Sequence, residues 1–200
     1  MLNQSSTLMK TTIAALTAAL TILLPITAGA APCSDAILTK QYAQMDKDDQ
    51  SLRGRYIQIL EAEHQKKPVD LAEKDRLENA IVTIDEKNRI TLDQLIQRCG
   101  WPGKMDGKRA ARSAFTIIQH AELPYQLRYL PMVKAANRRG EVSNEHLAWL
   151  IDRILVRQGK PQKYGTEFEY GSNKIAPIED SKNLNKRRRA IGLPPMAGYD

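Results

Sequence analysis

Along most of the chain apolar residues recur at three- and four-residue spacings, the period that lets one face of a helix be buried. From Ser34 to about Gln65 the repeating positions are Ile37, Leu38, Met45, Leu52, Tyr56, Ile59 and Leu60. The charged run Asp46-Lys47-Asp48-Asp49 and the helix-weakening Gly54 leave either one long helix or two. Pro68 separates this segment from a second helix with Asp70 as N-cap, which carries Leu77, Ile81 and Ile84. A break near Asp85 to Arg89 precedes Leu92, Leu95 and Ile96, and Gly100 supplies the C-terminal stop. A third helix, Lys108 to Ala121, has an alanine-rich face that lets a neighbour approach closely. The fourth, Leu123 to Arg139, has Pro124 in its first turn and a kink or restart at Pro131. Ser143 caps a fifth that runs to Gln158, with Leu147, Leu150, Ile151, Ile154 and Leu155 as its stripe.

After Gly159 the period changes. Thr166, Phe168 and Tyr170 alternate with Glu167 and Glu169, which predicts a strand. With Gly171-Ser172-Asn173 as a turn, residues of about 163–178 read as a β-hairpin, followed by an irregular tail over 179–200. The expected fold is mainly α: a single multi-helix domain over 31–200 with a small C-terminal hairpin that must pack on the helices to persist.

The first thirty residues stand apart from that domain. Lys10, the apolar run Thr12 to Leu24 and Ala28-Gly29-Ala30 have the layout of a signal peptide cleaved near Ala30. The run is short for a bilayer span, so no stable membrane span is expected after cleavage, and the protein is expected to be exported, periplasmic or extracellular. Removing Lys10 leaves 30 − 1 = 29 basic residues against 23 acidic ones, a charge of +6. In that compartment nucleic acid is set aside as a partner. An anionic envelope component or a peptide fits better, although such a charge also serves plain solubility.

Both cysteines, Cys33 and Cys99, lie in the mature chain, and in an oxidising compartment an even count reads as a disulfide. Its long loop is worth about 4 kcal/mol in the chain-entropy treatment.

No phosphate-binding glycine loop, nucleophile elbow or zinc-protease helix occurs, and His64, His120 and His146 are too far apart in sequence for a local zinc site. Hence neither metal nor cofactor is expected. His120 sits at the edge of the third helix's apolar face. There it is either tuned for proton transfer or is a core-edge histidine bonded to a carbonyl. Asp152 borders the stripe of the fifth helix while Arg153 lies well round from it, so each needs a partner elsewhere. Lys186 to Arg189 reads as a solvated basic face.

Eight short motifs follow one another in a fixed order. They are Asp49-Gln50-x-x-Arg53, Asp85-x-x-Asn88, Gly100-Trp101-Pro102-Gly103, Ile118-Gln119-His120-Ala121, Asp152-Arg153, Gln162-x-Tyr164-Gly165-Thr166, Pro177-Ile178-Glu179-Asp180 and Arg187-Arg188-x-x-Ile191-Gly192-Leu193-Pro194-Pro195. In that order the chain resembles a bacterial domain-of-unknown-function family from about Gln41 to Tyr199, with Cys99 and Glu167 departing from the family pattern. The resemblance implies a mainly helical domain without an established activity, and it groups the polar landmarks in one place. His120 and Asp152 are then the candidate catalytic pair, with Asp85 as an alternative partner for the histidine. Asn88, Trp101, Arg153, Gln162, Tyr164 and Thr166 are the candidate ligand-binding groups. Three readings stay open: a binding module, a structural polar network, and a hydrolase or lyase with His120 as its acid–base group.

Overall fold

The computed structural model describes residues 33–169 and 172–199; the expected signal peptide lies outside the described residues, as do Tyr170 and Gly171. The α-helices are α1 (Asp35–His64), α2 (Leu71–Cys99), α3 (Arg109–His120), α4 (Leu123–Arg138), α5 (Asn144–Arg157) and α6 (Leu184–Ala190). The protein is mainly helical, and among the described residues no helix is long and apolar enough to cross a membrane.

α1 is one helix. It passes through its charged middle because Asp49 falls on the buried face with Leu38, Tyr42 and Met45, at the i, i+4, i+7, i+11 positions of one stripe. Its single Gly54 costs only about 1 kcal/mol, too little to break thirty residues of packed helix. α2 is likewise unbroken, since Asp85 and buried Asn88 face α1: Asn88 Nδ2 donates to Met45 O at 3.3 Å, and Asp85 meets Arg53. Asp70 caps α2 by accepting from Glu73 N at 3.0 Å, and Ser143 caps α5 through His146 N, also at 3.0 Å. α4 runs through Pro131 without restarting.

The disulfide Cys33–Cys99 joins the start of α1 to the end of α2, closing the α1–α2 pair opposite the 65–70 connection. α3 is the central helix. It packs against α1, α2, α4 and α5, and Ala110, Ala111 and Ala114 are almost fully buried, small side chains that let neighbouring helices approach closely.

Two expectations for the C-terminal segment are corrected. The predicted hairpin over about 163–178 is not formed: among the described residues only the isolated bridges Gln162–Ile178 and Phe168–Ile175 occur. The buried side chain of Gln162 takes the place of a strand partner, accepting from Glu167 N at 2.9 Å and donating to Glu167 O and Ala176 O. Pro177, which has no N–H, cannot extend a ladder either. The tail is not wholly irregular, because a 3-10 turn (Ser181–Asn183) leads into α6, with Leu184 and Asn185 buried.

Candidate functional site

The expected polar landmarks divide between two environments. The first is built around Asp152, which is fully buried on α5. Its Oδ1 accepts from Lys163 N at 2.8 Å, and its Oδ2 accepts from Tyr164 N at 3.0 Å, Thr166 N at 3.1 Å and Thr166 Oγ1 at 2.9 Å. Burial pushes this carboxyl above its ordinary value, against the pull of those hydrogen bonds. Gly165 completes the turn with φ +70, and a Cβ there would meet Met196 Sδ at 2.8 Å. The basic run behaves differently from a plain solvated face: Arg188 donates to Tyr164 O and Pro194 O, and Arg187 donates to Lys163 O and Asp180 O. The Gln162–Thr166 motif, Asp152 and the arginine run therefore form one interlocked fastening of the C-terminal segment onto α5.

Arg153 lies beside this network, paired with Glu167 at 2.9 Å and donating to Gln119 O at 3.1 Å. Asn88 serves the α1–α2 contact described above. Trp101 packs against the core, and its buried Nε1 has no hydrogen-bond partner among the described residues.

The second environment contains His120, and its partners are not among the expected site residues. His120 Nδ1 lies 2.9 Å from Asp49 Oδ1, and no hydrogen bond joins it to Asp152. Asp49 is buried and also accepts from Gln50 Nε2 at 2.6 Å and Arg53 Nε at 3.1 Å. Arg53 reaches across to Asp85 at 2.5 Å, so one guanidinium ties α1, α2 and α3 together. Arg53 Nε also lies 2.9 Å from His120 Nδ1. An arginine N–H only donates, so Nδ1 accepts from Arg53 when the ring proton is on Nε2, whereas a proton on Nδ1 is donated to Asp49. A buried carboxylate gathers donors, which favours Nδ1–H toward Asp49 and leaves Nε2 as the free acceptor.

Sequence reasoning passed over Asp49, Arg53 and Gln50, although Asp49-Gln50-x-x-Arg53 carries the signal. A buried-stripe aspartate four residues before an arginine is a ready i, i+4 pair.

Burial raises the Asp49 carboxyl, but hydrogen bonding and charge from His120 and Arg53 outweigh it and hold the carboxyl below its ordinary value. Its stabilisation is therefore complete above the unfolded value of about 4 and is lost as pH falls through the lower folded value. In urea titrations between pH 7 and pH 2, wild type should lose stability in acid more steeply than Asp49→Asn. The variant should already be about 1–3 kcal/mol weaker at neutral pH. Parallel pH profiles would contradict the assignment.

His120 also lines a cleft of about 380 Å³ between α1, α3 and α5. Asp46 and Gln50 form its α1 wall, Arg112, Phe115, Thr116 and Gln119 its α3 wall, and His146 and Trp149 its α5 wall. At 1.5 Å per residue, Arg112 and His120 stand about 12 Å apart along α3. His146 stacks on Phe115 at 4.6 Å and leans on Trp149 at 5.2 Å. Burial, opposed by Glu145 and helped by nearby Arg112, pushes the His146 imidazole below its ordinary value and so favours the neutral ring. Arg112 is exposed and makes no hydrogen bond or ion pair among the described residues. No three metal-ligating side chains converge among the described residues.

Fold and site together define a disulfide-bonded helical domain with a braced histidine opening on a polar groove that holds Arg112, and a separate carboxylate network fixing its C-terminal segment. Residues 36–200 match the model of a family of unknown function, DUF6624, and the chain belongs to that family. No curated protein and no solved structure matches it significantly.

Proposed function

We propose that the protein is exported to the cell envelope after loss of residues 1–30. Its single helical domain there binds a small anionic ligand in the α1–α3–α5 groove, with Arg112 holding the anion and the unprotonated His120 Nε2 accepting from a ligand hydroxyl. The observation that carries this reading is the Asp49–His120 contact. A buried carboxylate, itself held by Gln50 and Arg53, fixes one ring nitrogen of a histidine that lines an open cleft. Arg112 adds an unengaged cation on the same wall. Asp152, Tyr164, Gln162 and Thr166 belong on this reading to the structural network, which supports α5 and through it the groove.

The same contact favours a second reading, an envelope-acting hydrolase or lyase with His120 as acid–base group, because a carboxylate on Nδ1 sets the tautomer and stabilises an imidazolium during proton transfer.

The test is an NMR titration of the mature protein with inorganic phosphate, following the ring signals of His120 and His146. Saturable shifts are expected in wild type, with about tenfold weaker binding in Arg112→Gln. Unchanged signals in wild type, or equal affinities in the two proteins, would sink the anion-binding reading.

A further inference from the structure

The groove contains more than an anion clamp. Trp149 leaves 37% of its surface exposed on the α5 wall, beside the His146–Phe115 stack. Indole gives a flat apolar platform with low conformational entropy, and it stands here among polar side chains, not in an apolar pocket. Opposite it on α1, Asp46 and Gln50 are one helical turn apart and offer a carboxylate and an amide. On α3, Gln119 is 94% buried (relative exposure 6%), lines the groove, and its Oε1 has no hydrogen-bond partner among the described residues. A buried amide oxygen without a donor is costly, and a hydroxyl donor from a ligand would remove that cost.

We infer that the groove recognises a sugar carrying an anionic substituent: the ring rests on Trp149, its hydroxyls meet Gln50, Asp46 and Gln119, and its carboxylate or phosphate reaches Arg112. This rests on the anion-binding reading above and adds the class of ligand. A pyranose has an apolar C–H face and a polar edge, and the groove opposes an aromatic platform to polar walls in the same way. The span of about 12 Å from Arg112 to His120 accommodates one sugar with its substituent. A free phosphate would leave the indole unused. An apolar peptide side chain would desolvate Asp46, Gln50 and Gln119 without replacing their hydrogen bonds.

The experiment titrates the mature protein with N-acetylmuramic acid, N-acetylglucosamine 6-phosphate and the neutral N-acetylglucosamine, following the separate indole N–H signals of Trp101 and Trp149. The expected result is a saturable shift of Trp149, not of Trp101, with at least one anionic sugar bound about tenfold more tightly than the neutral one. Which of the two binds tighter identifies the substituent. Arg112→Gln should bring the anionic sugars down to the neutral level, and Trp149→Ala should weaken all three while leaving the melting temperature within a few degrees, since an exposed side chain is removed. Saturation by none of the sugars, or equal affinity for charged and neutral forms, overturns the inference. If inorganic phosphate still shifts His120 and His146 in that case, only the sugar class falls; if phosphate fails too, the anion site falls with it.

Discussion

Asp152→Ala is expected to destabilise the protein by roughly 3–5 kcal/mol, because it strands several part-buried donors at once. The backbone N–H groups of Lys163, Tyr164 and Thr166 and the Thr166 hydroxyl all converge on this one carboxylate. None can turn to water without releasing the turn that Arg187 and Arg188 fasten from the other side. For a domain of this size the loss corresponds to a melting temperature lower by roughly 10 °C. Asp152→Asn should fall between wild type and alanine, since its single oxygen can satisfy part of the set while its NH₂ confronts a backbone donor. Phosphate binding measured well below the transition should survive in the asparagine variant, because Asp152 makes no bond to His120. Thermal unfolding of the three proteins decides it. A loss under about 1 kcal/mol in the alanine variant would show that the 163–166 turn does not depend on this carboxylate.

Breaking the Cys33–Cys99 bridge is the second large effect. The bonded residues are 66 apart in sequence, which gives about 4 kcal/mol of unfolded-state constraint in the loop-entropy treatment. In the native state the bridge closes the open end of the α1–α2 pair, next to Leu38 and Tyr42, which the core needs in place. Urea unfolding of the oxidised protein against a Cys33→Ser/Cys99→Ser double variant should therefore show a midpoint shift worth about 4 kcal/mol. Exchange protection should be lost first in the opening turns of α1. Equal midpoints would mean that the bridge constrains nothing the helices do not already hold.

Much of the helical frame was legible in the sequence because it obeys periodic rules. The caps at Asp70 and Ser143, the stop after Cys99 and the alanine face of α3 all follow from local chemistry. The C-terminal segment was misread because the alternation of Thr166, Phe168 and Tyr170 is local, whereas what decides the structure is distant. Gln162 inserts its amide where a strand would pair, and Asp152 gathers the turn. The tail helix was hidden for the same reason: a basic run such as Lys186 to Arg189 looks solvated until the carbonyls that Arg187 and Arg188 bind are known. The candidate site was half legible. His120 could be singled out by its position at the edge of an apolar face, but its partner could not, since Asp49 lies 71 residues away and reaches it only through the packing of α1 on α3. The pattern did contain a hint. A carboxylate on the buried stripe of α1 had to find donors.

In the proposed site Asp49 holds the His120 proton on Nδ1 and leaves Nε2 to the groove. Long-range nitrogen NMR of the imidazole rings, in alkaline solution where histidines are neutral, reads this directly. The expected spectrum shows His120 as the Nδ1–H tautomer with an unprotonated Nε2, and Asp49→Asn should weaken that preference. A His120 protonated on Nε2, with Nδ1 accepting from Arg53, would contradict that arrangement.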